Sequence, residues 1–200
     1  SEFNYNDYKL EAGDGAIDED WNTWGMYFNV WKALDSMTPG FVFAYGSYDG
    51  DQAANFAALG FDNFVYFSGL DFEDDFNSTV ILGDEFGWGG GDDLLAATLL
   101  KLYVNEIKTG IEPLTLSTYF AYVMSNQEDG QESISGLNTT VPNTYEDATA
   151  WEACFGASYR ITDNLIYSVY GAYADINYDA DNIDDPDAVY LIANAIEFNF

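Results

Sequence analysis

Residues 114–124 read LTLSTYFAYVM. In an extended chain successive side chains point to opposite faces. Leu114, Leu116, Thr118, Phe120 and Tyr122 therefore share one face, and Thr115, Ser117, Tyr119 and Ala121 the other. One face is apolar along its length and the other small or polar. The same pattern recurs in WEACFGASYRI (151–161), with Trp151, Ala153, Phe155, Ala157, Tyr159 and Ile161 opposed to Glu152, Cys154, Gly156, Ser158 and Arg160. At the end of the chain, Tyr190, Ile192, Ile196, Phe198 and Phe200 oppose Ala193, Ala195, Glu197 and Asn199. WGMYFNVW (24–31) and TLLKLYVNE (98–106) alternate likewise.

Composition bounds what such strands build. The 200 residues hold 35 Asp and Glu against 5 Lys and Arg, with no His, for a formal charge of −30, yet 48% are apolar and 18% aromatic. Disordered chains are poor in aromatics, so disorder is excluded as the overall state. Phosphate binding needs clustered Lys and Arg, which excludes nucleic acid as a partner. One Cys permits no internal disulfide, and the absence of His removes the commonest general base. The chain is therefore read as a non-enzyme. Membrane-embedded lipases and proteases, which pair a Ser with a His, fit least. No run of about 18 apolar residues offers a transmembrane helix. The opening SEFNYNDYKL has no basic start leading into an apolar run, so an exported protein would appear here in mature or truncated form.

The alternation alone is equally that of a soluble sandwich facing a core. Three features point instead to a bilayer. The strands are about 9–12 residues long, enough to cross at a tilt. The face opposite the apolar one is small or polar throughout, as a lumen requires, and aromatics gather at the ends of the apolar faces, where interfacial girdles lie. The connections add a rhythm. Ten strands are expected, at about 3–10, 22–33, 41–48, 57–67, 77–83, 95–107, 114–125, 150–161, 165–176 and 188–200, joined alternately by long and short links. The long links at 11–21, 49–56, 84–94, 126–149 and 177–187 carry most of the acid. Outer-membrane barrels alternate short periplasmic turns with long outer loops and have an even strand count. The expected fold is thus all-β, an antiparallel up-and-down transmembrane β-barrel of about ten strands, with both termini on the short-turn side. Residues 1–200 form one such domain or the C-terminal part of one.

If the apolar faces meet lipid, the opposite faces line the lumen. Lys101, Tyr103, Tyr119, Glu152, Arg160 and Glu197 are then the candidate pore-lining residues, either as opposed charges across a constriction or as partners in a plugged interior. The loop GDEFGWGGGDD (83–93) carries Asp84, Glu85, Asp92 and Asp93 among glycines, either dipping into the lumen as a constriction or lying solvated outside. Asp179, Asp181, Asp184 and Asp185, with Asp187 close by, offer a weak calcium site or a solvated acidic face, since EF-hand spacing is absent. No cofactor is required. Cys154, on the small-residue face with no His to activate it, is an inward inert side chain.

A resemblance sharpens the reading. Phe200, with Phe198 and Ile196 before it and Tyr190 further back, resembles the C-terminal signature by which the barrel-assembly machinery recognises bacterial outer-membrane barrels. KALDSMTPGFVFAYGSYDGD (32–51), AWEACFGASYRITDNLIYSVYGAYADINYDAD (150–181) and the terminal IEFNF are similar to the C-terminal half of homotrimeric outer-membrane porins of Desulfovibrio-type bacteria. The TPG turn running into an aromatic strand that ends in YGS is the most specific part. Those porins are longer, so the resemblance implies either the C-terminal part of a barrel of about sixteen strands or a compact ten-stranded relative. It also implies a homotrimer in the outer membrane of a Gram-negative bacterium, surrounded by lipid and lipopolysaccharide. The function expected is passive diffusion of small hydrophilic solutes and ions, cations preferred because the acidic loops concentrate them at the mouth. Two readings stand beside it: a plugged structural or adhesive outer-membrane barrel, and a secreted acidic β-protein that binds calcium.

Overall fold

A computed structural model of the chain describes residues 2–10, 19–47, 59–60, 93–94, 97–126, 133–135, 139–141, 148–177 and 187–198, with side chains at 24–47, 97–126, 148–177 and 187–198. Every element among these residues is a strand: β1 (Glu2–Leu10), β2 (Glu19–Trp31), β3 (Thr38–Gly46), β4 (Leu59–Gly60), β5 (Asp93–Leu94), β6 (Ala97–Lys108), β7 (Leu114–Ser125), β8 (Ser133–Ser135), β9 (Thr139–Val141), β10 (Thr149–Thr162), β11 (Leu165–Asn177) and β12 (Val189–Phe198). Eight of them form one antiparallel sheet in the order β1-β2-β3-β6-β7-β10-β11-β12. Each long strand pairs with its predecessor and successor among the long strands, which is a meander. The ladder is not closed between β1 and β12 among the described residues.

The ten-strand expectation changes here. β3 pairs directly with β6, Phe41 opposite Leu102 and Phe43 opposite Leu100, so the ladder has no place between them for two further staves. Of the strands expected at 57–67 and 77–83, Leu59–Gly60 alone is described, and it pairs with Asp93–Leu94 in a separate two-stranded ladder. The remainder of both lies outside the described residues. A second small ladder, β8 with β9, falls within the link expected at 126–149.

The short connections are hydrogen-bonded hairpin ends. Between β2 and β3, the Lys32 N–H donates to the Pro39 carbonyl (3.0 Å) and the Leu34 N–H to the Met37 carbonyl (2.9 Å). The turn is thus 32–37, and the TPG motif already belongs to the strand. Pro39 is tolerated near a strand start, where its missing N–H costs least. Gly40 meets a packing demand: a Cβ there would overlap the Tyr103 ring. Between β6 and β7, Gly110 adopts φ +87°, a region glycine enters without strain, and the Thr109 hydroxyl donates to the Leu114 carbonyl (3.1 Å). β10 and β11 are joined through Asp163 and Asn164 alone.

At the opposite ends, polar side chains tie the strands where the longer links leave them. The Trp24 N–H donates to Ser47 Oγ and the Ser47 N–H to the Trp24 carbonyl, both at 2.8 Å. The Asn126 amide donates to the Gly46 carbonyl (2.7 Å) and accepts from the Thr98 hydroxyl (2.8 Å). One side chain thus joins β3, β6 and the end of β7.

Candidate functional site: the inner face of the sheet

Period-two alternation makes the two faces opposites. On one, large apolar side chains are exposed: Leu102 at 62%, Phe155 at 54% and Ile192 at 79%, with Phe28, Phe120, Tyr190, Ile196 and Phe198 beside them in the same rows. On the other, Glu152 is wholly buried and Lys101 2% exposed. A soluble β-sheet covers its large apolar row and seldom buries charge, whereas here the large apolar row is open and the covered face combines these two charges with small and apolar residues. The exposed face has the features of a lipid-facing wall. Trp24 stacks near Tyr45 (4.6 Å between centroids), and Trp151 lies between Phe120 (5.9 Å) and Tyr173 (5.3 Å) at the long-link end. Toward the short turns, Tyr159 and Ile161 are exposed in the outer row. From Trp151 to Ile161 is about 34 Å of strand, or roughly 26 Å of height at a 40° tilt, close to the apolar band of outer-membrane barrels. Thr118, on this face, donates its hydroxyl to the Cys154 carbonyl (2.8 Å), so no hydroxyl hydrogen is left facing outward. Asn194 breaks the apolar row between Ile192 and Ile196.

The inner face is built in tiers, because antiparallel register brings residues of successive strands level. Gly40, Tyr103, Tyr119, Cys154 and Ala172 form one tier. The next, toward the long links, is Asn29, Val42, Lys101, Ala121, Glu152 and Ala174. Beyond it Tyr27, Ala44, Leu99, Val123, Ala150 and Ile176 make an apolar tier, all of them buried. Of the six pore-lining candidates, four fall in the two central tiers. Lys101 and Glu152 flank Ala121 from either side, with Cα atoms about 10 Å apart given strand spacings near 4.8 Å. Ala121 has no side chain beyond Cβ, so both long side chains reach over it. They meet at Tyr119: the Lys101 ammonium lies 4.2 Å from the ring centroid, and the Tyr119 hydroxyl donates to Glu152 Oε1. The Cys154 thiol is a neighbour of all three. Next to this group the Tyr103 hydroxyl donates to Asn29 Oδ1 (3.0 Å), its ring lying over Gly40. Sequence period brings these residues inward; that Tyr119 is the meeting point depends on side-chain rotamers and has no signal in the sequence.

The remaining two candidates sit apart. Arg160 is exposed and lines a cavity of about 940 Å³ at the short-turn end, together with Glu106, Lys108, Ser117 and Ser158. Glu197 lies at the same end, opposite Ile166. The cavity reaches inward to Ser117, one step short of the Tyr119 tier, and to Ser158, one step further out. At its rim the β6–β7 register shifts between Val104 and Ile107. Glu106, in this bulge, takes φ 53°, a region costly for residues other than glycine, and its carboxyl accepts from the Thr38 hydroxyl (2.9 Å). Sequence alternation through residue 107 does not reveal the extra residue.

The loop candidates Asp84, Glu85 and Asp92 lie outside the described residues, as do Asp179, Asp181, Asp184, Asp185 and Phe200. The Asp93 backbone pairs with Gly60 in β4–β5. Phe198 ends β12 opposite Leu165, and Tyr190 stands opposite Tyr173. Comparison of the chain with protein-family models, curated proteins and solved structures finds no match.

Proposed function

We propose that this chain forms the wall, or part of the wall, of a porin in a Gram-negative outer membrane, passing small hydrophilic solutes and ions with a preference for cations. The observation that carries the reading is the inversion of the two sheet faces, with Leu102, Phe155 and Ile192 exposed while Lys101 and Glu152 are buried. Such a sheet is at its lowest free energy with its outer face in hydrocarbon and its polar groups paired within, because exposed apolar area in water costs about 25 cal/mol per Å². The charge of −30 and the acidic long links support cation preference through the field they set at the outer mouth. The work is transport, not catalysis. The homotrimer, the lipopolysaccharide surroundings, recognition of Phe198 and Phe200 by the assembly machinery, and weak calcium binding by the Asp-rich link belong to the same proposal.

Reconstitution in planar bilayers under a salt gradient tests it. Ion steps with a reversal potential on the cation side are expected, the preference growing at low ionic strength as screening weakens. Absence of steps, or anion preference at low salt, overturns it. One observation favours the plugged structural barrel as the second reading. A barrel of about eight staves has an interior that side chains fill, and Lys101, Tyr103, Tyr119, Glu152 and Cys154 of the two central tiers are buried. Liposome swelling separates the two, since a plugged barrel gives none.

A further inference from the structure

We infer that Lys101, Tyr119 and Glu152 form the permeability barrier of the lumen, a strut spanning three adjacent strands, and that the balance of Lys101 against Glu152 sets which ions cross it. This rests on the reading that the chain lines a membrane channel. The cavity at the short-turn end ends one register step before Tyr119. From there inward Tyr119 is 8% exposed, Lys101 2% and Glu152 not at all, so this group is the first closure that the open path meets. Lys101 and Glu152 are also the buried charged residues among the described ones. An acid and a base held where water is excluded interact with any passing ion far more strongly than charges at the wet rim.

The strut has a definite construction. β6 supplies the ammonium, β7 the ring beneath it and the hydroxyl, and β10 the carboxyl that accepts from that hydroxyl. Ala121 leaves the gap across which the two long side chains converge. Tyr119 is therefore the positioning residue. It contacts Lys101 through its face and Glu152 through its hydroxyl, and removing the hydroxyl takes that contact from Glu152 while leaving the ring under Lys101. Cys154, level with Tyr119 and the only cysteine in the chain, reports on access to this tier.

The test uses the full chain refolded in lipid, with three near-isosteric variants: Tyr119→Phe, Glu152→Gln and Lys101→Met. In planar bilayers Tyr119→Phe raises unit conductance severalfold. Glu152→Gln moves the reversal potential toward anions, and Lys101→Met moves it toward cations. Labelling of Cys154 by a charged thiosulfonate is slow in the parent and severalfold faster in Tyr119→Phe, a readout that needs no ion current. Conductance in Tyr119→Phe from a silent parent supports the barrier and removes the freely open porin. A conducting parent with conductance, reversal potential and Cys154 labelling unchanged in every variant overturns the barrier and leaves the porin reading standing. Silence of the parent and all variants, with labelling unchanged, overturns both.

Discussion

Replacing Phe155 with Arg separates a lipid-facing wall from a soluble sheet by energy alone. Phe155 is 54% exposed on the outer face, between Trp151 and Ile161, near the middle of the roughly 26 Å band that these two mark. If the surroundings are water, an exposed aromatic exchanged for Arg changes stability by about 0.5 kcal/mol or less. If the surroundings are hydrocarbon near the midplane, the same exchange costs about 2–4 kcal/mol. That is roughly a 30- to 700-fold loss in the folded-to-unfolded ratio. Moving the charge toward the girdle, as in Ile161→Arg, reduces the cost to about 0–1 kcal/mol, because depth sets the penalty. The assay is urea unfolding of protein refolded into phosphatidylcholine vesicles, followed by tryptophan fluorescence. With a slope of about 2 kcal/mol per molar urea, Phe155→Arg shifts the midpoint down by about 1–2 M and Phe155→Leu by much less. Equal midpoints for Phe155→Arg, Ile161→Arg and the parent would refute the lipid-facing assignment, and with it the claim that the inner face lines a lumen.

Other outcomes follow from the inner tiers and the turn end. Glu152→Leu leaves Lys101 buried with its counter-charge removed and lowers stability by about 3–5 kcal/mol, while the double variant Lys101→Met/Glu152→Leu loses less than the two single changes summed; the same unfolding series measures both. Gly40→Ala places a methyl in the Tyr103 ring and costs about 1–3 kcal/mol, most of which returns when Tyr103→Leu is added. At the bulge, Glu106→Val is destabilising by about 1–2 kcal/mol because a β-branched residue resists φ 53°. Glu106→Gly stays closer to the parent, relief of backbone strain offsetting the hydrogen bond lost from Thr38; thermal unfolding in detergent orders the three.

Particular residues show how far the sequence reading reaches. LTLSTYFAYVM and WEACFGASYRI are described within β7 and β10, paired from Leu114 opposite Tyr159 to Tyr122 opposite Trp151, with Tyr119 opposite Cys154 and Phe120 opposite Ala153. Alternation of this kind is legible because a strand has a fixed period of two, and the buried small or polar row stands out against the exposed apolar row. Legibility fails where neighbours rather than the chain itself decide. TPG reads as a turn because Pro and Gly usually mark one, yet Pro39 and Gly40 are in the ladder, Gly40 there to admit the ring of Tyr103. The bulge at Glu106 is hard to read because only Ile107 and Lys108 follow it in the strand, too few to display the shifted alternation. The staves expected at 57–67 and 77–83 rested on NFAALGFDNFVYF, which has no clean face assignment, and strand order depends on which partner is available rather than on periodicity.

By itself, then, the sequence determines that this is an antiparallel β-protein of long two-faced strands, with its acids gathered between them. These are properties of local period and composition, which act within a few residues. Tertiary structure alone decides that β3 takes β6 as its neighbour, that Lys101 and Glu152 stand level across Ala121, and that both close on Tyr119. Each of these joins residues far apart in the chain, and register across several strands is a collective outcome of pairing and packing that no single segment encodes.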